Sequence, residues 1–112
     1  MKNYSGVRTK DGVKVQVHDG DTVLDLSPRF DLRNHSPTGF EFGFCGSGPA
    51  QLALALLADA LGNDALAQRY YQDFKFKVVA NWAGKEFKIG QDQIQAIVAD
   101  LQAKQRLPTE VK

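Results

Sequence analysis

The sequence predicts a single α+β domain, residues 1–112, in which an N-terminal antiparallel β-meander and an aromatic strand pack against about three C-terminal helices. Two periodicities and one turn carry that reading. Val13, Val15 and Val17 alternate with Lys14, Gln16 and His18, the period of two that marks a half-buried strand. Ile94, Ile97, Val98 and Leu101 recur at i, i+3, i+4 and i+7, one apolar stripe along a helix. Between them lies Gly46-Ser47-Gly48-Pro49-Ala50-Gln51, a turn that launches a helix.

Taken in order, Asp11-Gly12 and Asp19-Gly20 flank the valine strand, and both dipeptides supply the positive φ of tight hairpins. Tyr4 to Thr9 is therefore the first strand and Thr22 to Leu26 the third. From Ser27 to Gly39 all periodicity stops, with Ser27-Pro28 and Ser36-Pro37 enclosing Arg29, Arg33 and His35. Connections that long in a compact domain are often functional. Phe40, Phe42 and Phe44 alternate with Glu41 and Gly43, which in a strand puts three rings on one face.

Pro49 suits the first helical position, with Gly48 or Ser47 as N-cap and Gln51 placed to reach back. This helix carries Leu52, Leu56, Leu57 and Ala60 and ends at Gly62-Asn63. Asn63 or Asp64 caps a second helix bearing Leu66, Tyr70, Phe74 and Val78, and so short a link implies a helical hairpin. Trp82-Ala83-Gly84 interrupts, Glu86 to Ile89 reads as a short strand or extended segment, and the Ile94 stripe marks the third helix. The tail from about 107 is expected to fray.

The chain holds 14 basic and 13 acidic residues, a net charge of +1, so no global field draws it to nucleic acid or an anionic membrane. The single cysteine, Cys45, excludes an intramolecular disulfide and suits a reducing compartment. The N-terminus lacks a signal peptide's apolar stretch, and Leu52 to Leu61 is too short to span a bilayer. A cytoplasmic protein is expected.

The most concentrated candidate site is the glycine turn. Two glycines at a helix N-terminus expose N–H groups beside the positive end of the helix dipole, where phosphate, sulfate or carboxylate can bind. The anion-binding candidates are Gly46, Ser47, Gly48 and Gln51, joined by Lys75 if the two helices form a hairpin. The turn lacks the Lys and Ser/Thr of a nucleotide-binding P-loop, and its spacing is not the dinucleotide fingerprint. The competing structural account is a turn in which glycine permits close backbone packing.

Other candidates have similar alternatives. A helix N-terminus lowers a thiol pKa, but Cys45 lies in an apolar stretch without a Cys/His/Asn signature. His18 and His35 lack further ligands at metal-binding spacing, so no metal and no cofactor is expected. Glu41 faces away from the phenylalanines, without a second carboxylate nearby, and can pair with an arginine such as Arg33. Trp82 and Tyr70 suit a core, whereas Tyr71 lies beside the apolar stripe. No catalytic residue is assigned.

The run from Leu32 to Ala55, together with Tyr71-Gln72-Asp73-Phe74-Lys75 and Val78-Val79-Ala80, resembles an uncharacterised family of small bacterial, phage and plasmid proteins. Its usual pattern is close to NHSPTGFEWGYGGSGPAQLALA. This chain departs from it at three positions, with Phe42 for Trp, Phe44 for Tyr and Cys45 for Gly. The resemblance implies a mobile-element setting, one rich in small inhibitors of host defence. The leading expectation is thus a non-enzymatic protein that binds and inhibits a host protein, such as a CRISPR–Cas (an anti-CRISPR) or restriction component. Its contact residues would be Arg29, Arg33, His35, Tyr71, Lys75 and Lys77. One alternative is a small anionic-ligand-binding protein or enzyme using His35, Glu41, Ser47 or Lys75. Another is nucleic-acid binding through Lys75, Lys77, Lys85 and Lys88.

Overall fold

The valine periodicity and the two glycine turns produce the meander expected of them. Strands β1 (Asn3–Thr9), β2 (Gly12–Asp19) and β3 (Thr22–Asp25) are joined by two-residue loops, with Gly12 (φ +118°) and Gly20 (φ +62°) in conformations that side chains disfavour. The computed structural model describes the backbone of residues 1–111 and the side chains of residues 1–104. β4 (Glu86–Gly90) joins antiparallel to β1, pairing Gly6 with Phe87 and Tyr4 with Ile89, so the sheet order is β3-β2-β1-β4. The Phe87 ring occupies the space a side chain at residue 6 would fill, since a Cβ there would fall 2.0 Å from its Cε2.

One sheet face is apolar and buried, through Tyr4, Val15, Val17, Phe87 and Ile89. The other carries Ser5, Gln16, His18 and Lys88, all half-buried or exposed. This alternation follows from the strand period of two.

The aromatic stretch is not the strand its spacing predicts. Only Phe40 makes a bridge, to Val13, and Gly43 (φ +91°) turns the chain so that its N–H donates to Val79 O (3.0 Å). The rings consequently part company, Phe42 being fully buried and Phe44 50% exposed. Phe42 meets Phe87 edge-on at 5.2 Å, and Phe87 stacks on Trp82 at 4.2 Å. The connection from β3 to the first helix therefore spans residues 26–46, longer than the 27–39 loop expected from the sequence.

Helix α1 (Ser47–Leu61) begins earlier than expected, with Gly46 as N-cap and no side-chain cap. Pro49 lies third in the helix and Gln51 a further two residues in, so Gln51 does not cap. Residues 49–58 are all buried, which makes α1 the central helix. Gly62 (φ +61°) closes it with its N–H donating to Ala58 O. Asn63 caps α2 (Asp64–Lys77) by accepting from Leu66 N at 3.1 Å.

α2 returns antiparallel along α1 and ends in a 3-10 turn, Val79–Asn81. Its end thus lies level with the start of α1, as the Gly43–Val79 bond confirms. α3 (Gln91–Val111) buries Ile94 and Val98 against the same core. The backbone of α3 stays helical through Val111, past residue 107 where the sequence predicts fraying.

Candidate functional site

The 26–46 segment lacks regular structure, and Gln51 holds it in place. This side chain is 0% exposed and uses all its hydrogen-bonding capacity on the segment. Nε2 donates to Pro28 O (2.6 Å) and Arg33 O (3.0 Å), while Oε1 accepts from His35 N (2.8 Å) and Ser36 N (3.3 Å). One buried carboxamide on the central helix thus serves backbone groups of four residues.

A second clamp lies at the other side of the loop. Arg29, at φ +56°, directs its guanidinium to both carboxylate oxygens of Asp31 (3.0 Å each) and of Asp64 (2.9 and 3.1 Å). Asp64 opens α2, so the fork ties loop to helix. Hydrogen bonding to Arg29 holds the Asp31 carboxyl below its ordinary value, and both carboxylates keep the guanidinium charged.

His35 reaches the helical hairpin. Its Nε2 shares a 2.6 Å hydrogen bond with the Tyr71 hydroxyl, and the two rings lie 5.5 Å apart. Tyr71 is 6% exposed and Lys75, one turn along α2, is 8% exposed, so both lie inside rather than on an open basic face. The Lys75 ammonium lies 4.1 Å from the Phe76 ring centroid, a cation–π contact.

The glycine turn is first a packing device. A Cβ on Gly48 would fall 2.6 Å from Glu41 Cβ and 3.2 Å from Glu41 N, so only glycine lets the two segments approach this closely. Ser47 and Cys45 are exposed, and Gly46 and Gly48 are half-buried. The Glu41 carboxylate is paired, though with Arg8 (3.0 Å) rather than Arg33. Arg8 also donates to Phe42 O and Gly84 O (2.8 Å each), and its guanidinium lies 4.3 Å from the Phe42 ring centroid. A groove of about 640 Å³ runs beside this clasp, lined by Gly43, Phe44, Asn81 and Trp82 among others.

The remaining candidates are scattered. The Arg33 side chain is exposed, Lys77 reaches Asp100 at 3.5 Å, and Lys88 projects from the sheet face opposite the helices. Asp100 also contacts Lys104 (3.3 Å), and the two ammonium groups, Lys104 foremost, hold its carboxyl below the ordinary range. Among the described residues no group of three or more His, Cys, Asp or Glu side chains is placed to hold a metal ion. No helix among them is long and apolar enough to cross a membrane.

Sequence reasoning placed Gln51 at the right turn but gave it the wrong task. The available signal was its position, a lone carboxamide within a run of leucines and alanines. Arg8 gave no local signal, because its three side-chain partners, Glu41, Phe42 and Gly84, lie more than thirty residues away in sequence.

These features define a class: an α+β protein whose central helix fixes a long irregular segment along one edge of its core. The chain belongs to a family of unknown function (DUF6166), whose model matches residues 4–100. Comparisons with curated proteins and with solved structures give no significant match.

Proposed function

We propose that this protein binds another protein and acts by occupying that partner's surface, with residues 26–46 as the contact segment. The observation that carries the reading is the Gln51 clamp. An irregular segment held in one conformation binds without first losing its conformational freedom, and that saving goes directly into affinity. The segment presents Phe30 (40% exposed), Arg33 and Asn34, and near its end Phe44 (50% exposed). Meanwhile Arg29, Glu41 and His35 spend their polar groups on internal bonds, which favours a binding role over catalysis.

The mobile-element setting implied by the sequence pattern suggests the partner: a host-defence protein, such as a CRISPR–Cas or restriction component, met in the host cytoplasm. Expressed in hosts carrying such systems, the protein is expected to raise the plating efficiency of a targeted phage and to co-purify with one component. The Phe30→Ala/Arg33→Glu double variant should lose both effects while melting like the parent. Unchanged plating with no co-purifying component across these hosts would overturn the proposal.

A second reading, anion binding at the start of α1, draws support from the exposed Ser47, which opens the first turn of that helix. It predicts saturable amide shifts at residues 46–50 when phosphate is added. Nucleic-acid binding has less support, since Lys75 is buried, Lys77 pairs with Asp100, and Lys88 faces away from both.

A further inference from the structure

The sheet face away from the helices holds a cavity of about 480 Å³, lined by Asn3, Tyr4, Ser5, His18, Lys88, Ile89, Gly90 and Gln93. That volume lies within the usual range for small-ligand sites, about 300–1,000 Å³. Strand register builds it: Asn3 stands opposite both His18 on β2 and Gly90 on β4, and Ser5 stands opposite Lys88. Three neighbouring strands therefore deliver side chains to one spot, and the first turn of α3 adds Gln93.

The chemistry these groups offer is one-sided. Lys88 carries a full positive charge with three donors. Gln93 Oε1 already accepts from Gly90 N (2.7 Å), which leaves its Nε2 donors for another partner. Ser5 Oγ and His18 Nε2 share a 2.9 Å hydrogen bond. When His18 is the donor, the Ser5 hydroxyl hydrogen is free to point into the cavity. The lining contains one lysine, one histidine and no carboxylate, in a chain whose acids and bases are otherwise nearly balanced. Three acids stand beside the lining without forming part of it: Asp92, whose Oδ1 lies against Gly90 at the start of α3; Asp19, next to His18 in the chain; and Glu86, which lines the adjoining shallow groove with Lys14 and Gln16.

Tyr4 offers a ligand no ring to stack on, since its ring lies in the core and its hydroxyl donates to Asp59 on the helical side. Charge and hydrogen bonds are the main interactions left to the lining.

We propose that Ser5, His18, Lys88 and Gln93 form a binding site for the anionic group, carboxylate or phosphate, of a small molecule. Lys88 supplies the charge, and Ser5 and Gln93 supply neutral donors. His18 fixes the direction of the serine hydroxyl. The site is separate from residues 26–46 and stands or falls independently of the protein-binding reading.

The test is an amide-shift titration of the ¹⁵N-labelled protein with inorganic phosphate and, separately, citrate, each against sodium chloride of equal ionic strength. Saturable shifts are expected at Asn3, Ser5, His18 and Lys88. Lys88→Ala should weaken binding by about tenfold or more, the loss of one charge-assisted contact, and Ser5→Ala by less. Saturation by phosphate alone assigns a phosphorylated ligand, and by citrate alone a carboxylated one; saturation by both assigns a general anion site. Shifts that stay linear, that chloride reproduces, or that persist unchanged in Lys88→Ala would overturn the proposal. Saturable shifts confined to residues 46–50 would overturn it too and would favour the glycine turn instead.

Discussion

A single glutamine side chain illustrates how much structure one polar residue can organise. Gln51 lies where leucine would satisfy the helix, and it is kept polar by four backbone groups that have no other ladder to join. Gln51→Ala leaves those groups without their partner and is expected to cost about 2–4 kcal/mol, read as a lower urea midpoint. Gln51→Leu should destabilise as well, because restoring the volume does not restore the hydrogen bonds. Both variants should also broaden the amide signals of residues 28–36. A fully stable Gln51→Leu would show that the loop is held by something else.

At the scale of elements, close approach rather than propensity governs the junction between the aromatic segment and α1. Gly48 permits Glu41 to lie against the first turn, and Glu41 in turn meets Arg8. Gly48→Ala is therefore expected to cost about 1–3 kcal/mol, more than its gain in helix propensity returns. By contrast Asn63→Ala removes only a cap and should cost about 1 kcal/mol. Comparing the two by chemical denaturation separates steric from capping control. Had Gly48 served chiefly as an N-cap, the two losses would match.

For the molecule as a whole, the Tyr4–Asp59 bond joins sheet to central helix and makes stability depend on alkaline pH. The Tyr4 hydroxyl donates to Asp59 Oδ2 at 2.6 Å, and burial, followed by that carboxylate, raises its pKa well above the ordinary 10.0. In the folded state the phenol stays protonated where the unfolded chain would release its proton. The native state then binds more protons, so this contribution is complete below pH 10 and is lost as the pH rises beyond it. Tyr4→Phe should lower stability at neutral pH and flatten the decline above pH 10, as read from urea midpoints across pH 7–11. A parallel decline in both proteins would locate the alkaline sensitivity elsewhere.

The sequence by itself determined the meander, the helical hairpin and the third helix. Each is written in local chemistry: valine alternation, glycine turns, the Asn63 cap and the Ile94 stripe all act within a few residues. It also marked the 27–39 loop and the 46–51 turn as the unusual parts of the chain. Tertiary structure alone decided that Phe40–Phe44 is not a strand, because Gly43 and its bond to Val79 pull the chain away from the sheet. The fourth strand is Glu86–Gly90, drawn to β1 from the far end of the chain. Tertiary structure also brought Ser5, His18 and Lys88 together, residues up to 83 positions apart. Periodicity reports which face a residue occupies, whereas register and long-range hydrogen bonds decide which residues share that face.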